Sequence, residues 1–161
     1  MVEYLSWIDS ALDWLGRMGY IGAFLAGFLG ASIPFFPSYI LIPLMATQLH
    51  PLPVGIISGL GAGLGQYLHY YIGLGGRHLF SSETQARFEK WRVRYGKYGL
   101  WLVVALAATP LTPDDIVWIP LGLVRYPRVK ALIAGITGKT ILSLVYAYAG
   151  YYGWQFIDQL L

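Results

Sequence analysis

Apolar positions fill most of the chain, in long runs, and the polar positions that break them are few and grouped. Over residues 3–17 Tyr4, Leu5, Trp7, Ile8, Ala11, Leu12, Trp14 and Leu15 share one helical stripe, with Glu3, Ser6, Asp9, Ser10 and Asp13 opposite. That periodicity predicts an amphipathic helix over 1–17, lying on a membrane surface or packed on a partner protein. Residues 18–49 are apolar but carry Pro34, Pro37 and Pro43, which disfavours one continuous helix. Each half would supply roughly 18 to 22 Å of helix against a hydrocarbon core of about 30 Å, which favours a re-entrant hairpin over two short tilted spans. Residues 53–76 are long enough to cross once, and Gly55, Gly59 and Gly63 recur at four-residue spacing, as do Gly61 and Gly65. Small residues so spaced let helix backbones approach closely. A hydrophilic segment, 77–97, is predicted as a basic helix. The interrupted apolar pattern then returns over 98–124, and 131–157 form a second spanning candidate with tyrosines and Trp154 toward its far end.

Composition makes the solvent explicit. Charged residues are 12% of the chain and hydrophobic ones 57%, about half the charge expected of a soluble domain. No Asp, Glu, Lys or Arg lies between Arg17 and Arg77, so the expected fold class is an all-α integral membrane protein with one domain over 1–161. Cysteine is absent, which excludes disulfides, thiolate catalysis and Cys-ligated metals. The acidic first residues lack the basic region of a secretory signal, so the first segment is expected in the mature protein.

An internal repeat is legible. In IPFFPSYILIPL (33–44) and TPLTPDDIVWIPL (109–121), Pro34, Pro37, Ile40, Pro43 and Leu44 align with Pro110, Pro113, Ile116, Pro120 and Leu121 after one insertion, and Gly61 and Gly73 then fall over Gly138 and Gly150. The segments 77–97 and 125–130 hold 9 of the 11 Lys and Arg residues and flank the second broken segment on both sides. With positive residues cytoplasmic, that segment enters and leaves on one face, and the first hairpin opens on the other. The expectation is an inverted repeat of re-entrant hairpin plus transmembrane helix, with loop 77–97 cytoplasmic and both termini on the outer face. In transporters such repeats place the substrate site near the midplane, at the tips of broken helices.

These segments, in this order, resemble the DedA family, also called the VTT or SNARE-associated Golgi protein superfamily. GYIGAFLAGFLGASIPFFPSYILIPL, GLGAGLGQYLHYYIG, RFEKWRVRYGKYG and ATPLTPDDIVWIPLG carry the resemblance. It implies two re-entrant hairpins with spanning helices, and lipid handling: translocation of polyprenyl-phosphate carriers or phospholipid scrambling. Departures fall at the polar centre. Tyr39 follows Pro37 and Ser38 where relatives carry Glu, Gln66 stands for an Asp, and Ala107 and Pro113 stand for arginines.

Candidate chemistry is sparse. Asp114 and Asp115 are the acids within the predicted membrane segments; at mid-bilayer each costs about 2.5 to 3.5 kcal/mol on the insertion scale. Thr112, Pro113 and Asp115 also fit N-cap, N1 and N3 positions, so the acids either cap a helix or line a hydrated cavity that takes a proton or cation. Lys139 is the natural counter-ion, or snorkels to the interface. Gln66 joins Ser38, Tyr39 and Thr112 as a cavity candidate. Arg125, Arg128 and Lys130 are expected among anionic headgroups. GITGKT lacks the glycine of a phosphate-binding loop, since Ile133 occupies its place. His50, His69 and His78 have no metal-ligand spacing, and no nucleotide fingerprint or hydrolase constellation is present. The expectation is therefore a lipid transporter or scramblase, not an enzyme, with membrane lipids as partners and no cofactor or nucleic acid. The alternatives are a proton- or cation-coupled small-solute carrier and a non-transporting scaffold that forms homo-oligomers through its glycine faces.

Overall fold

The computed structural model describes residues 16–33, 36–109 and 115–159, with Ser10 and Trp14, side chains excepted at 91, 92, 94–99, 115–117 and 157. It is all-helical, with no strand among the described residues. The six α-helices are α1 (Tyr20–Ser32), α2 (Ser38–Gln48), α3 (Pro51–Gly76), α4 (Ser82–Ala107), α5 (Asp115–Leu123) and α6 (Arg128–Asp158), with a 3-10 turn at Arg77–Leu79 after α3. Most of the expected surface helix over 1–17, and the second hairpin tip over 110–114, lie outside the described residues.

The breaks fall where proline and capping chemistry put them. α1 ends before Pro34, and α2 starts after Pro37, at Ser38. His50 caps α3 through its side chain, accepting from the Leu52 N–H, and Pro51 sits at the first helical position. Ser81 caps α4 by accepting from the Thr84 N–H. Pro43 and Pro120 fall inside α2 and α5, each removing one intrahelical hydrogen bond from a short limb. The boundary anticipated at 97/98 is not an element end. α4 runs unbroken from its basic N-terminal part into its apolar last turns, because a change from charged to apolar side chains leaves backbone hydrogen bonding intact.

The long helices α3 and α6 form the axis of the bundle, packed antiparallel. Glycine sets their spacing: a Cβ at Gly63 would lie 2.7 Å from the Ile136 Cα, and one at Gly59 2.7 Å from the Thr140 hydroxyl. α1 packs on α3 and α4 on α6, whereas α2 lies on α6 and α5 on α3. Each short second limb thus leaves its own long helix for the other one. Two apolar clusters result. One joins Ala23, Ala26, Leu41, Ile42, Met45, Ala46, Val54 and Ala147; the other joins Tyr70, Val103, Trp118, Tyr126, Ala131 and Ala134.

By length and composition, Arg128–Phe156 is the one helix among the described residues able to cross a membrane. α3 is long enough at 26 residues, about 39 Å. Its glycines, tyrosines, Gln66 and His69 make it less apolar than the sequence reading of a plain span implied.

Candidate functional site

Both hairpins stop near the middle of the α3–α6 pair. The last turn of α1 meets α3 at Gly65, where a Cβ would lie 2.8 Å from the Ser32 hydroxyl, and α2 doubles straight back, with Ser38 against Gly30. On the other side the end of α4 meets α6 at Gly138, where a Cβ would lie 2.6 Å from the Ala107 Cβ. The register that pairs Gly59 with Thr140 and Gly63 with Ile136 also sets Gly61 level with Gly138. The two broken segments therefore end within about a turn of one another along the axis.

Polar side chains collect at that level. Gln66 is fully buried, one residue beyond Gly65, and neither its amide nitrogen nor its oxygen has a hydrogen-bond partner among the described residues. The Ser32 hydroxyl beside Gly65 is in the same condition. Ser58 is buried too, but returns its hydroxyl to the Val54 carbonyl at 2.6 Å. Lys139 is buried in α6, level with Leu60 on α3 and so roughly 9 Å along the axis from Gln66. A buried amide with four unmet hydrogen-bonding sites costs on the order of 1 to 3 kcal/mol for each group left bare. Such a residue in the middle of a bundle marks a place where water, an ion or substrate is expected.

The predicted set separates accordingly. Gln66 and Lys139 are buried at mid-bundle. Ser38 sits at the first tip, half-buried against Gly30, whereas Tyr39 is 58% exposed and points away from the core. Thr112 and Asp114 lie outside the described residues; Asp115 opens α5, and its side chain is also outside them. Among the described residues no three His, Asp or Glu side chains group closely enough to hold a metal ion. Ser32 escaped the sequence reading because a serine ending an apolar run looks like an ordinary helix terminus.

The predicted headgroup residues lie at one end of the bundle, where α3 finishes and α6 begins. There Arg77, a buried cation, donates to the Leu123 carbonyl at 2.7 Å and to the Gln85 side-chain oxygen at 3.3 Å, tying α3, α4 and α5 together. Gln85 answers with bonds to the Arg77 and Phe80 carbonyls. The Tyr70 hydroxyl donates to the Tyr126 carbonyl at 2.7 Å, pinning the α5–α6 turn to α3. Arg125, Arg128 and Lys130 are all exposed around that turn. Arg77 was read from sequence as one charge of a solvated segment; only the fold places its guanidinium inside.

Comparison with curated proteins and with solved structures returns no match. A family model of the VTT domain matches residues 36–152, which take in α2 to α5, the second broken segment and α6 as far as residue 152. The chain belongs to the VTT-domain family, the DedA/SNARE-associated Golgi family of membrane proteins.

Proposed function

We propose that this protein moves lipids or lipid-phosphate carriers across a membrane, as a transporter or scramblase rather than an enzyme. Its two broken hairpins would open to opposite faces and meet around a polar centre. Gln66 carries the reading: a fully buried amide, unpartnered among the described residues, at the level where both hairpins stop. Such a group in hydrocarbon is costly and marks a pathway by default. Asp114, Asp115 and Thr112 would complete the centre from the second tip, and Lys139 would balance the acids.

Contacts that recur between the two halves support this reading and the inverted repeat it proposes. Gly61 seats against Phe24 and Phe28 of α1, and Gly138, its repeat partner, seats against Val104 and Ala107 of α4. Gly73 lies on Ile119 of α5, and its partner Gly150 on Pro43 of α2. A shift of 77 residues carries the Gly59–Thr140 contact into Ile136–Gly63. The same shift carries Val54 and Tyr70, one from each core cluster, onto Ala131 and Ala147, which belong to the opposite clusters in turn. That exchange is what a two-fold axis between α3 and α6 produces. Inverted repeats of this kind place a substrate site at their interface.

Reconstituted vesicles test the function. Protein-dependent movement of fluorescent phospholipids or a polyprenyl phosphate is expected, with at least a tenfold loss in Gln66→Leu and in Asp114→Asn combined with Asp115→Asn, roughly the effect of one charged or buried polar contact. Wild-type protein that folds but accelerates no lipid sinks the proposal. Proton or cation flux without lipid movement would point instead to a small-solute carrier.

A further inference from the structure

We propose that the cavity at the basic end of the bundle is a binding site for a phosphate ester, with Arg125 and Arg128 as its cationic arms. The cavity has a volume of about 380 Å³ and lies between the last turns of α3 and the α5–α6 turn, within the range of small-ligand sites. Its walls are divided by chemistry. Tyr70 and Tyr126 are buried, whereas Arg125, Arg128 and His78 line it and remain exposed. Among the described residues no acidic side chain contributes.

Four further features favour an anion. Pro127 accepts the first intrahelical bond of α6, from the Ala131 N–H at 2.9 Å. The N–H groups of Arg128, Val129 and Lys130 are thus left without intrahelical acceptors, at the positive end of a 31-residue helix. Tyr126, one of the lining residues, is buried and its hydroxyl has no partner among the described residues, a donor still free to take up an acceptor. Arg77, next in the chain to the lining residue His78, spends its hydrogen bonds on neutral oxygens of Leu123 and Gln85, so its charge adds to the local positive potential. Finally, α5 ends with the Arg125 N–H on the Gly122 carbonyl and the Tyr126 N–H on the Leu121 carbonyl, both at 3.0 Å. Arg125 therefore takes the left-handed position, φ 52°, that helix ends of this type give to glycine. An arginine is kept there at a conformational cost, and its side chain lines the cavity.

Donors on several sides of one space suit a tetrahedral oxyanion better than a planar carboxylate, and guanidinium groups are the favoured partners of phosphate oxygens. The group could reach the cavity on a lipid headgroup or on a free phosphate. The site does not rest on the transport reading, because it lies at the end of the bundle rather than its middle and would serve a non-transporting member equally.

The test uses the full chain in phosphatidylcholine nanodiscs, titrated calorimetrically with short-chain phosphatidic acid and, separately, inorganic phosphate. Saturable binding of at least one is expected: phosphatidic acid alone assigns the site to lipid headgroups, and equal binding of both assigns it to the phosphate group itself. Arg125→Gly is expected to weaken binding about tenfold or more while leaving the ligand-free unfolding midpoint equal or higher, since glycine relieves the left-handed strain. Arg128→Gln is expected to weaken it similarly and carries the test should Arg125→Gly not fold. Lys130→Gln, which removes the same charge outside the cavity, is expected to bind like wild type. The proposal is overturned if neither ligand binds saturably, if the folded arginine variants bind as wild type does, or if Lys130→Gln loses as much as they do.

Discussion

Tyr126 shows how much a single residue can hold that its sequence does not announce. It stands between Arg125 and Pro127 in a short turn, where a tyrosine reads as interfacial, yet it is 3% exposed and its hydroxyl lacks a partner among the described residues. Tyr126→Phe removes a polar atom that burial penalises, so ligand-free stability should stay level or rise by up to about 1 kcal/mol, while phosphate binding weakens. Burial also raises the Tyr126 pKa above its usual 10.0. The folded protein then holds this proton at pH values where the unfolded chain has released it. Stability from this source is full below pH 10 and declines as pH rises beyond it. Unfolding midpoints followed from pH 8 to 11 should fall less steeply in Tyr126→Phe than in wild type. Arg77 is a second case: its buried guanidinium serves three backbone or amide oxygens. Arg77→Gln should destabilise by about 2 to 4 kcal/mol by stripping those bonds, measurable as a lower thermal midpoint.

Elements were far more legible than contacts. Proline pairs located both broken segments, and four-residue glycine spacing identified α3 as a closely packed helix, because these residues act on the backbone directly. The break expected at 97/98 came from composition alone, which does not terminate a helix, and α4 continues through it. Glycine spacing was ambiguous in another sense: it marked faces for close approach without saying which partner each would meet. The fold assigns Gly61 to α1, Gly63 to α6 and Gly73 to α5, while Gly153 meets nothing within 4 Å. Alanine substitutions should therefore change stability in opposite directions. Gly153→Ala is expected to stabilise by roughly 0.5 to 1 kcal/mol through helix propensity. Gly61→Ala forces a methyl against the Phe24 carbonyl and the Phe28 amide, and is expected to destabilise by about 1 to 3 kcal/mol. Unfolding in mixed micelles reads both signs in one assay.

At the scale of the whole molecule, the packing puts the start of α1 and the end of α2 at one end of the α3–α6 pair, and the end of α3 and start of α6 at the other. The second end gathers Arg77, Arg125, Arg128 and Lys130. If positive residues stay in the cytoplasm, that end is cytoplasmic and the first hairpin opens outward. The absence of native cysteine makes single-cysteine labelling direct. In right-side-out vesicles an impermeant maleimide should label Gln48→Cys from outside, and Ser81→Cys and Val129→Cys only after permeabilisation. Ile33→Cys decides the hairpin itself. Ile33 is 48% exposed at the tip of the first broken segment, and α1 at 13 residues reaches about 20 Å, too short to carry the tip through a core of about 30 Å. A re-entrant tip should resist the reagent from the cytoplasmic side, whereas two tilted spans would expose it there once the vesicles are opened. Labelling of Ile33→Cys as fast as Ser81→Cys after permeabilisation would turn the first segment into two crossings.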